Sequence, residues 1–359
     1  MRRAPKVSQF VADLVDGDAI SMDCLGIDRM LKSLGYRSSI YSDRVHPQAT
    51  ASAQPLRRHR LEDGEVTILH YSIWSESAEY LLSLRPPRLV MVYHNITPAE
   101  YFRGFNPEAE RATLEGREAL ARFVPVTALA LGDSGFNCQE LEEAGFPRTG
   151  VLPIAVDFEK LNATPGRRLL RELDDGCVNI LSVGRIVPNK RPEDVIKLFY
   201  HYHHRINPRS RLFLVGPGDM GMAYRHWLEA MVEHLGIEKH VSFPGRVPHT
   251  DLLAYYHGAN AYVCLSEHEG FCAPLVESMH LGVPVLAYAS TAVPETLGDA
   301  GILFRRKDYQ AMSEMLHVLV EDKGFREKLV ARGRQRALAF SQEQVAKALR
   351  EHLDRVIRQ

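Results

Sequence analysis

Short apolar runs alternate along the chain with longer stretches whose apolar positions recur every three or four residues. In the second half, 178–183, 211–215, 241–243, 261–265 and 283–288 read as strands buried on both faces. Between them, 192–206, 222–235, 250–257 and 274–280 carry the helical repeat. That alternation predicts a parallel sheet with helices on both faces. The first half repeats the pattern, with strands at 7–11, 37–41, 67–71 and 89–93 and a strand running into a loop over 129–134. Helices are expected over 19–34, 107–123 and 134–144. The chain is therefore expected to be α/β, with two Rossmann-like domains. Residues 153–166 suit an exposed linker. The amphipathic stretch 341–358, beyond a bend near Phe340, is expected to pack back on the first domain. The predicted division is 1–155, 156–340 and 341–359.

A length of 359 residues accommodates two substantial cores, and 45% hydrophobic with 25% charged residues is ordinary globular usage. A net charge of −1 opposes a general nucleic-acid partner, which needs a basic surplus. The five cysteines, Cys24, Cys138, Cys177, Cys264 and Cys272, are scattered, odd in number and never in a C-x-x-C pair. They suggest a reducing cytoplasm and supply no metal framework. No long apolar segment follows Met1–Lys6, and no run approaches 18 apolar residues, so neither signal peptide nor membrane span is expected. Any contact with the inner face of the membrane would be peripheral. Arg57, Arg58, His59 and Arg60 read as a solvated basic loop, the alternative being a patch for anionic lipid or an acidic acceptor. His201, His203 and His204 fall on different helical faces and read as surface residues rather than a metal site.

The chemistry concentrates in 266–285. Glu269 and Glu277 stand eight apart, around a helix that Pro274 opens and Gly282 ends. Backbone N–H groups of Gly270, Phe271, Cys272 and Ala273 lie at the helix's positive end, where phosphate or hydroxyl oxygens are attracted. The two carboxylates repel an anion but accept hydrogen bonds from vicinal hydroxyls. A ligand part phosphate and part polyol, such as a nucleotide sugar, fits both halves. Arg185 and Lys190, on the loop after 178–183, are cations suited to stabilise a departing phosphate. In the first half, His94 and Asn95 follow a predicted strand, at the edge where open α/β sheets bind ligands. Asp16-Gly17-Asp18 spells D-x-D, but it opens a helix, so Asp18 is expected to cap it.

Glu269-Gly270-Phe271-Cys272 through Glu277 resembles the E-x7-E signature of the retaining glycosyltransferases of family 4. The resemblance extends to Gly184-Arg185 with Asn189-Lys190, to Leu214-Val215-Gly216, to Phe243-Pro244-Gly245-Arg246-Val247 and to 282–304. It covers most of the second half, and the first half only loosely. It implies the GT-B fold, two facing Rossmann-like domains, with the acceptor on the first and the nucleotide sugar on the second. By this resemblance His94, Arg185, Lys190 and Glu269 are the catalytic candidates. Gly17, Arg246, Val247, Gly270, Phe271, Cys272, Ala273, Leu275 and Glu277 are the donor-binding candidates, with Glu277 on the ribose and Arg246-Val247 near the base. Asp18, Asn95 and Ser134 are the acceptor-binding candidates. Cys272 departs from the glycine or other small residue of many relatives. The implied reaction transfers a hexose, with retention and no metal or cofactor, to a saccharide or lipid-linked saccharide in cell-surface polysaccharide synthesis. GDP-mannose is the favoured donor, followed by a UDP-hexose. A phosphorylase or nucleotide-sugar epimerase of the same fold, and a non-catalytic glycan- or nucleotide-binding protein, are the competing readings.

Overall fold

The computed structural model describes residues 5–15, 18–45, 52–218 and 222–358. The chain forms two compact units. One comprises Met1–Ala99, Glu110–Ala155 and Phe340–Gln359, the other Glu100–Ala109 and Val156–Ala339.

In the first unit, strands β1 (Lys6–Leu14), β2 (Arg37–Val45), β3 (Gln54–Pro55), β4 (Val66–Tyr71), β5 (Leu89–Tyr93), β6 (Thr127–Gly132) and β7 (Thr149–Val151) form one sheet. Its order is β3-β2-β1-β4-β5-β6-β7, and every pairing is parallel. Alternation along β5 shows why the strands are apolar throughout. Val90 and Val92 point into one core, Leu89, Met91 and Tyr93 into another on the opposite face. Helix Gln342–Ile357 covers the first of these faces, burying Val345, Leu349, Leu353 and Val356 among Val7, Ile27 and Leu31. Each such leucine contributes roughly 1.5–3 kcal/mol of burial.

In the second unit, β8 (Val178–Val183), β9 (Ser210–Val215), β10 (Val241–Gly245), β11 (Ala261–Cys264), β12 (Val285–Tyr288) and β13 (Ile302–Phe304) form a six-stranded sheet. Its order is β10-β9-β8-β11-β12-β13, again parallel throughout. Both sheets reverse their winding direction once, between β1 and β4 and between β8 and β11. A loop leaving the carboxyl end of a strand beside such a reversal enters the crevice where open α/β sheets bind ligands.

The strand and helix expectations match with small shifts. Helix Pro107–Leu120 is shorter than expected because Ala121–Phe123 tightens into a 3-10 turn. Helices Glu76–Leu84, Arg167–Leu173, Tyr309–Glu321 and Lys323–Ala337 had no sequence expectation. Two surface readings need correction. His59 is buried, its ring held by Glu65 at 2.9 Å and Tyr80 at 2.8 Å, so the exposed basic cluster reduces to arginines. His203 is also buried, pairing with Ser210 at 3.1 Å and packing on His240. Among the described residues, no helix is long and apolar enough to cross a membrane.

Candidate functional site

The second unit's site grows from two loops at the reversal between β8 and β11. After β8 the chain passes through Gly184, which presses against the loop after β9. A Cβ on Gly216 would lie 2.0 Å from the Gly184 carbonyl oxygen. Gly184 N–H donates to Val215 O at 2.9 Å, and Gly216 N–H to Gly245 O at 3.0 Å. The first loop then tightens into a 3-10 turn, Pro188–Lys190. Buried Asn189 fastens this turn to the loop after β11, donating to His268 O at 3.0 Å and accepting from Glu267 N–H at 2.9 Å.

That fastening brings Lys190 onto Glu269, and Lys190 Nζ donates to Glu269 Oε2. Burial alone would lower the Lys190 pKa, but the Glu269 carboxylate more than offsets it, and the pKa is raised. Glu269 is itself 5% exposed. Its backbone N–H donates to Thr291 Oγ1 at 2.8 Å and its carbonyl accepts from Ala292 N–H, so the loop is pinned at this carboxylate. Arg185, exposed, lines the same small cavity as Lys190 and Glu269.

Helix Ala273–Leu281 follows, with Cys272 before it in the left-handed region at φ 70°. This is a conformation that glycine adopts without strain. Glu277 sits one turn inside, accepting from the Tyr256 hydroxyl at 2.6 Å. Burial raises its pKa, and the Tyr256 hydrogen bond opposes that rise. Phe271 is buried, its carbonyl held by Thr296 Oγ1 at 2.6 Å. The Leu275 side chain is wholly in the core and its N–H donates to Cys272 O at 3.0 Å. Gly270 and Ala273 are half-buried. Arg246 is exposed and Val247 half-buried, directly after β10. A larger cavity of about 370 Å³, lined by Tyr101, Tyr224, Trp227 and Arg191 among others, contains none of the predicted residues.

The first unit holds a second cluster. His94 follows β5, with its Nδ1 3.2 Å from Asp133 Oδ2 and its Nε2 2.9 Å from His70 Nδ1. His70 Nε2 in turn meets the Gln9 amide at 2.9 Å, so Gln9, His70, His94 and Asp133 form a continuous hydrogen-bonded chain. Asp23, from helix Ala19–Ser33, approaches His94 Nε2 at 4.0 Å. Burial works to lower the His94 pKa, but Asp133 and then Asp23 raise it to about 8. Burial pushes Asp23 up to about 7 against the pull of His94. Burial, reinforced by His94, holds His70 well below the usual histidine range.

The remaining first-unit candidates are tied into the frame. Asp18 caps its helix through Ser21 N–H at 3.1 Å, and Ser134 caps helix Gly135–Glu143 through Asn137 N–H at 3.2 Å. Asn95, at φ 60°, donates to Asn137 and Glu140 at 3.0 and 2.7 Å. Gly17 lies outside the described residues. Sequence reasoning had not singled out Asp23, His70, Asp133, Tyr256 or Thr291. His70 in an apolar strand and Asp133 just past a strand end were the available signals. Among the described residues, two groups bring three metal-ligating side chains together: Asp23, His70 and His94, and Cys264, Glu269 and Cys272.

Residues 172–336 match the family model for glycosyl transferases group 1. An O-antigen chain mannosyltransferase B of Escherichia coli is 32% identical over 167 residues, 45% of this chain and 42% of that protein. A D-inositol 3-phosphate glycosyltransferase of Thermobifida fusca is 30% identical over 257 residues, 68% of this chain and 58% of that protein. The chain thus spans about half the length of the curated relatives it matches. In fold, it is similar to the sucrose-phosphate synthase of Thermosynechococcus elongatus, with a TM-score of 0.78 at 17% identity over 98% of this chain and 99% of the other. The architecture is that of the GT-B glycosyltransferases. By residues 172–336, the second unit carries the sequence features of the group 1 glycosyltransferases.

Proposed function

We propose that the protein is a retaining, metal-independent glycosyltransferase that moves a hexose, favoured as mannose from GDP-mannose, to a saccharide or lipid-linked saccharide. The observation that carries this reading is the Lys190–Glu269 pair, held at the sheet reversal by Asn189 and Thr291. A sugar diphosphate offers phosphate oxygens to half-buried Lys190 and hydroxyls to buried Glu269, so both partners of the pair gain a ligand group on binding. As the bond from the anomeric carbon to the diphosphate breaks, negative charge grows on the leaving phosphate. Lys190 and Arg185 stabilise it, together with the N-terminus of helix Ala273–Leu281. Two cations and a helix dipole serve the purpose of a divalent ion, which is why no metal is assigned to the reaction.

Glu277 is assigned to the ribose hydroxyls, with Arg246 and Val247 near the base and the amides of Gly270 to Ala273 on the sugar. Gly17 is assigned to the donor phosphates and Leu275 to support of the site from behind. In the first unit, His94 positions or polarises a sugar hydroxyl, while Asp18, Asn95 and Ser134 shape the acceptor side. The matching E. coli relative is named as a mannosyltransferase, which favours mannose over glucose. Work on a polysaccharide precursor would place the protein in the cytoplasm, in peripheral contact with the membrane.

The test is a thermal-shift panel of GDP-mannose, GDP, UDP-glucose and UDP without added metal, followed by transfer assays with the stabilising donor. A ligand at about 100 times its Kd adds roughly 2.7 kcal/mol to the folded state. A shift with the GDP compounds and mannosyl transfer in the presence of chelator are the expected results. Stabilisation by UDP compounds alone would reassign the donor, and a flat panel would overturn the donor site.

A further inference from the structure

We propose that Cys264, Cys272 and Glu269 form a binding site for Zn²⁺ in the second unit. Cys264 ends β11, and Cys272 precedes helix Ala273–Leu281. The loop between them folds back so that their sulfurs lie 3.8 Å apart. Both sulfurs and one Glu269 carboxylate oxygen lie within 4.8 Å of one another. A tetrahedral zinc with Zn–S bonds of about 2.3 Å holds its two sulfurs about 3.8 Å apart. The thiols already stand at that separation.

The surroundings suit a closed site with one open position. Cys264, Cys272 and Glu269 are 4%, 7% and 5% exposed. A cavity of about 20 Å³ borders Cys264, Glu269, Ser266 and Lys190, room for one water as fourth ligand. The charges also balance. Two thiolates, a carboxylate and Zn²⁺ sum to −1, and the Lys190 ammonium beside Glu269 supplies the compensating charge. Binding replaces waters of the aqua ion with two Zn–S bonds and one Zn–carboxylate bond, keeps one water as fourth ligand, releases one proton from each thiol to solvent, and involves no change of oxidation state. The motif is C-x7-C with a carboxylate between, which explains why no C-x-x-C search reveals it.

One consequence rests on the donor reading above. A Glu269 carboxylate bound to zinc is withdrawn from a sugar hydroxyl, so zinc and the nucleotide sugar compete, and zinc inhibits.

The experiment titrates Co²⁺ into the full chain, reduced and free of chelator. A thiolate-to-cobalt charge-transfer band saturating at one ion per chain, and bleached by Zn²⁺, is expected. Cys264→Ser and Cys272→Ser should each abolish the band, whereas Cys177→Ser should retain it. No band in the wild-type chain, or a band indifferent to both substitutions, overturns the site, and the wild-type titration decides even where a variant folds poorly. A second arm repeats the GDP-mannose thermal shift with one equivalent of Zn²⁺. The shift should vanish in the wild type and persist in Cys264→Ser. Loss in both overturns competition at this site. A wild-type chain that shows the cobalt band but no GDP-mannose shift even without zinc overturns the donor reading and leaves the metal site standing.

Discussion

At the scale of single residues, the Lys190–Glu269 pair makes the sharpest prediction. Charge-assisted hydrogen bonds contribute about 1.5–3 kcal/mol, so Lys190→Ala should weaken GDP-mannose binding by roughly ten- to a hundredfold in calorimetry. Unchanged affinity would remove Lys190 from the site. Ser134 separates two roles that a sequence cannot. As a helix cap, its replacement by alanine should cost about 1 kcal/mol of stability in denaturant titration. A loss of transfer activity beyond that, at saturating donor, would show an acceptor role as well. The His94 cluster predicts a pH response of definite sign. Its pKa, lifted from 6.5 to about 8, contributes stability that is full below about pH 6.5 and is lost as pH rises through 8, roughly 2 kcal/mol in all. Asp23, lifted from 3.8 to about 7, keeps a proton that the unfolded chain gives up, and so acts in the same direction. The melting temperature of the first unit should therefore fall from about pH 7 to about pH 9, above the range in which His70, held low, opposes the trend. Asp133→Asn should flatten the upper part of that slope, and an unaltered slope would dismiss the cluster as its source. Glu269 and Lys190 were legible because each stands in a dense local motif. Asp23, His70 and Asp133 were not. The contacts that give them meaning are long-range in sequence, His70 and Asp133 lying 24 and 39 positions from His94.

At the scale of elements, strands buried on both faces announce themselves as apolar runs, and β5 and β8 have the bounds that their runs predict. Helices were harder where tertiary contacts rather than periodicity hold them. Lys323–Ala337 buries only Leu329, Gly333 and Ala337, with Gly333 packed on Met279, and so carries almost no apolar stripe. His203 was misread for a related reason. Its helical face is covered by Ser210 and His240, which arrive from other elements. The loop crossing at Gly184 and Gly216 is a backbone-against-backbone contact. Gly216→Ala should therefore destabilise the second unit by at least about 3 kcal/mol, since neither backbone is a flexible side-chain end that can swing aside. A soluble variant with an unshifted melting curve would contradict that contact. The buried Asp194 shows how helix Pro192–Arg205 is held. Burial opposes its charge, but Lys307 at 2.6 Å and Tyr309 at 2.8 Å pull its pKa down to about 2.

At the scale of the whole molecule, the final helix is part of the first unit's core. A chain ending after Ala339 would uncover the face on which Leu349 and Leu353 lie. Limited proteolysis of that truncation should digest the first unit rapidly and leave a resistant fragment from the second. Equal resistance of both would mean that the helix merely decorates the surface. The sequence made the helix visible through its amphipathic repeat. The assignment of Glu100–Ala109 to the second unit left no such trace, because it follows from contacts and not from periodicity.

The path of the chain also orders events in time. A ribosome delivers the seven strands of the first sheet before any of the second, and domains commonly fold in the order of their synthesis. Here the first sheet made waits longest for its cover, because Gln342–Ile357 emerges only after the second unit is complete. Until it does, the nascent chain carries an uncovered apolar face, a natural station for chaperones. Emergence of that helix, not completion of the first sheet, sets the moment at which the unit can become native.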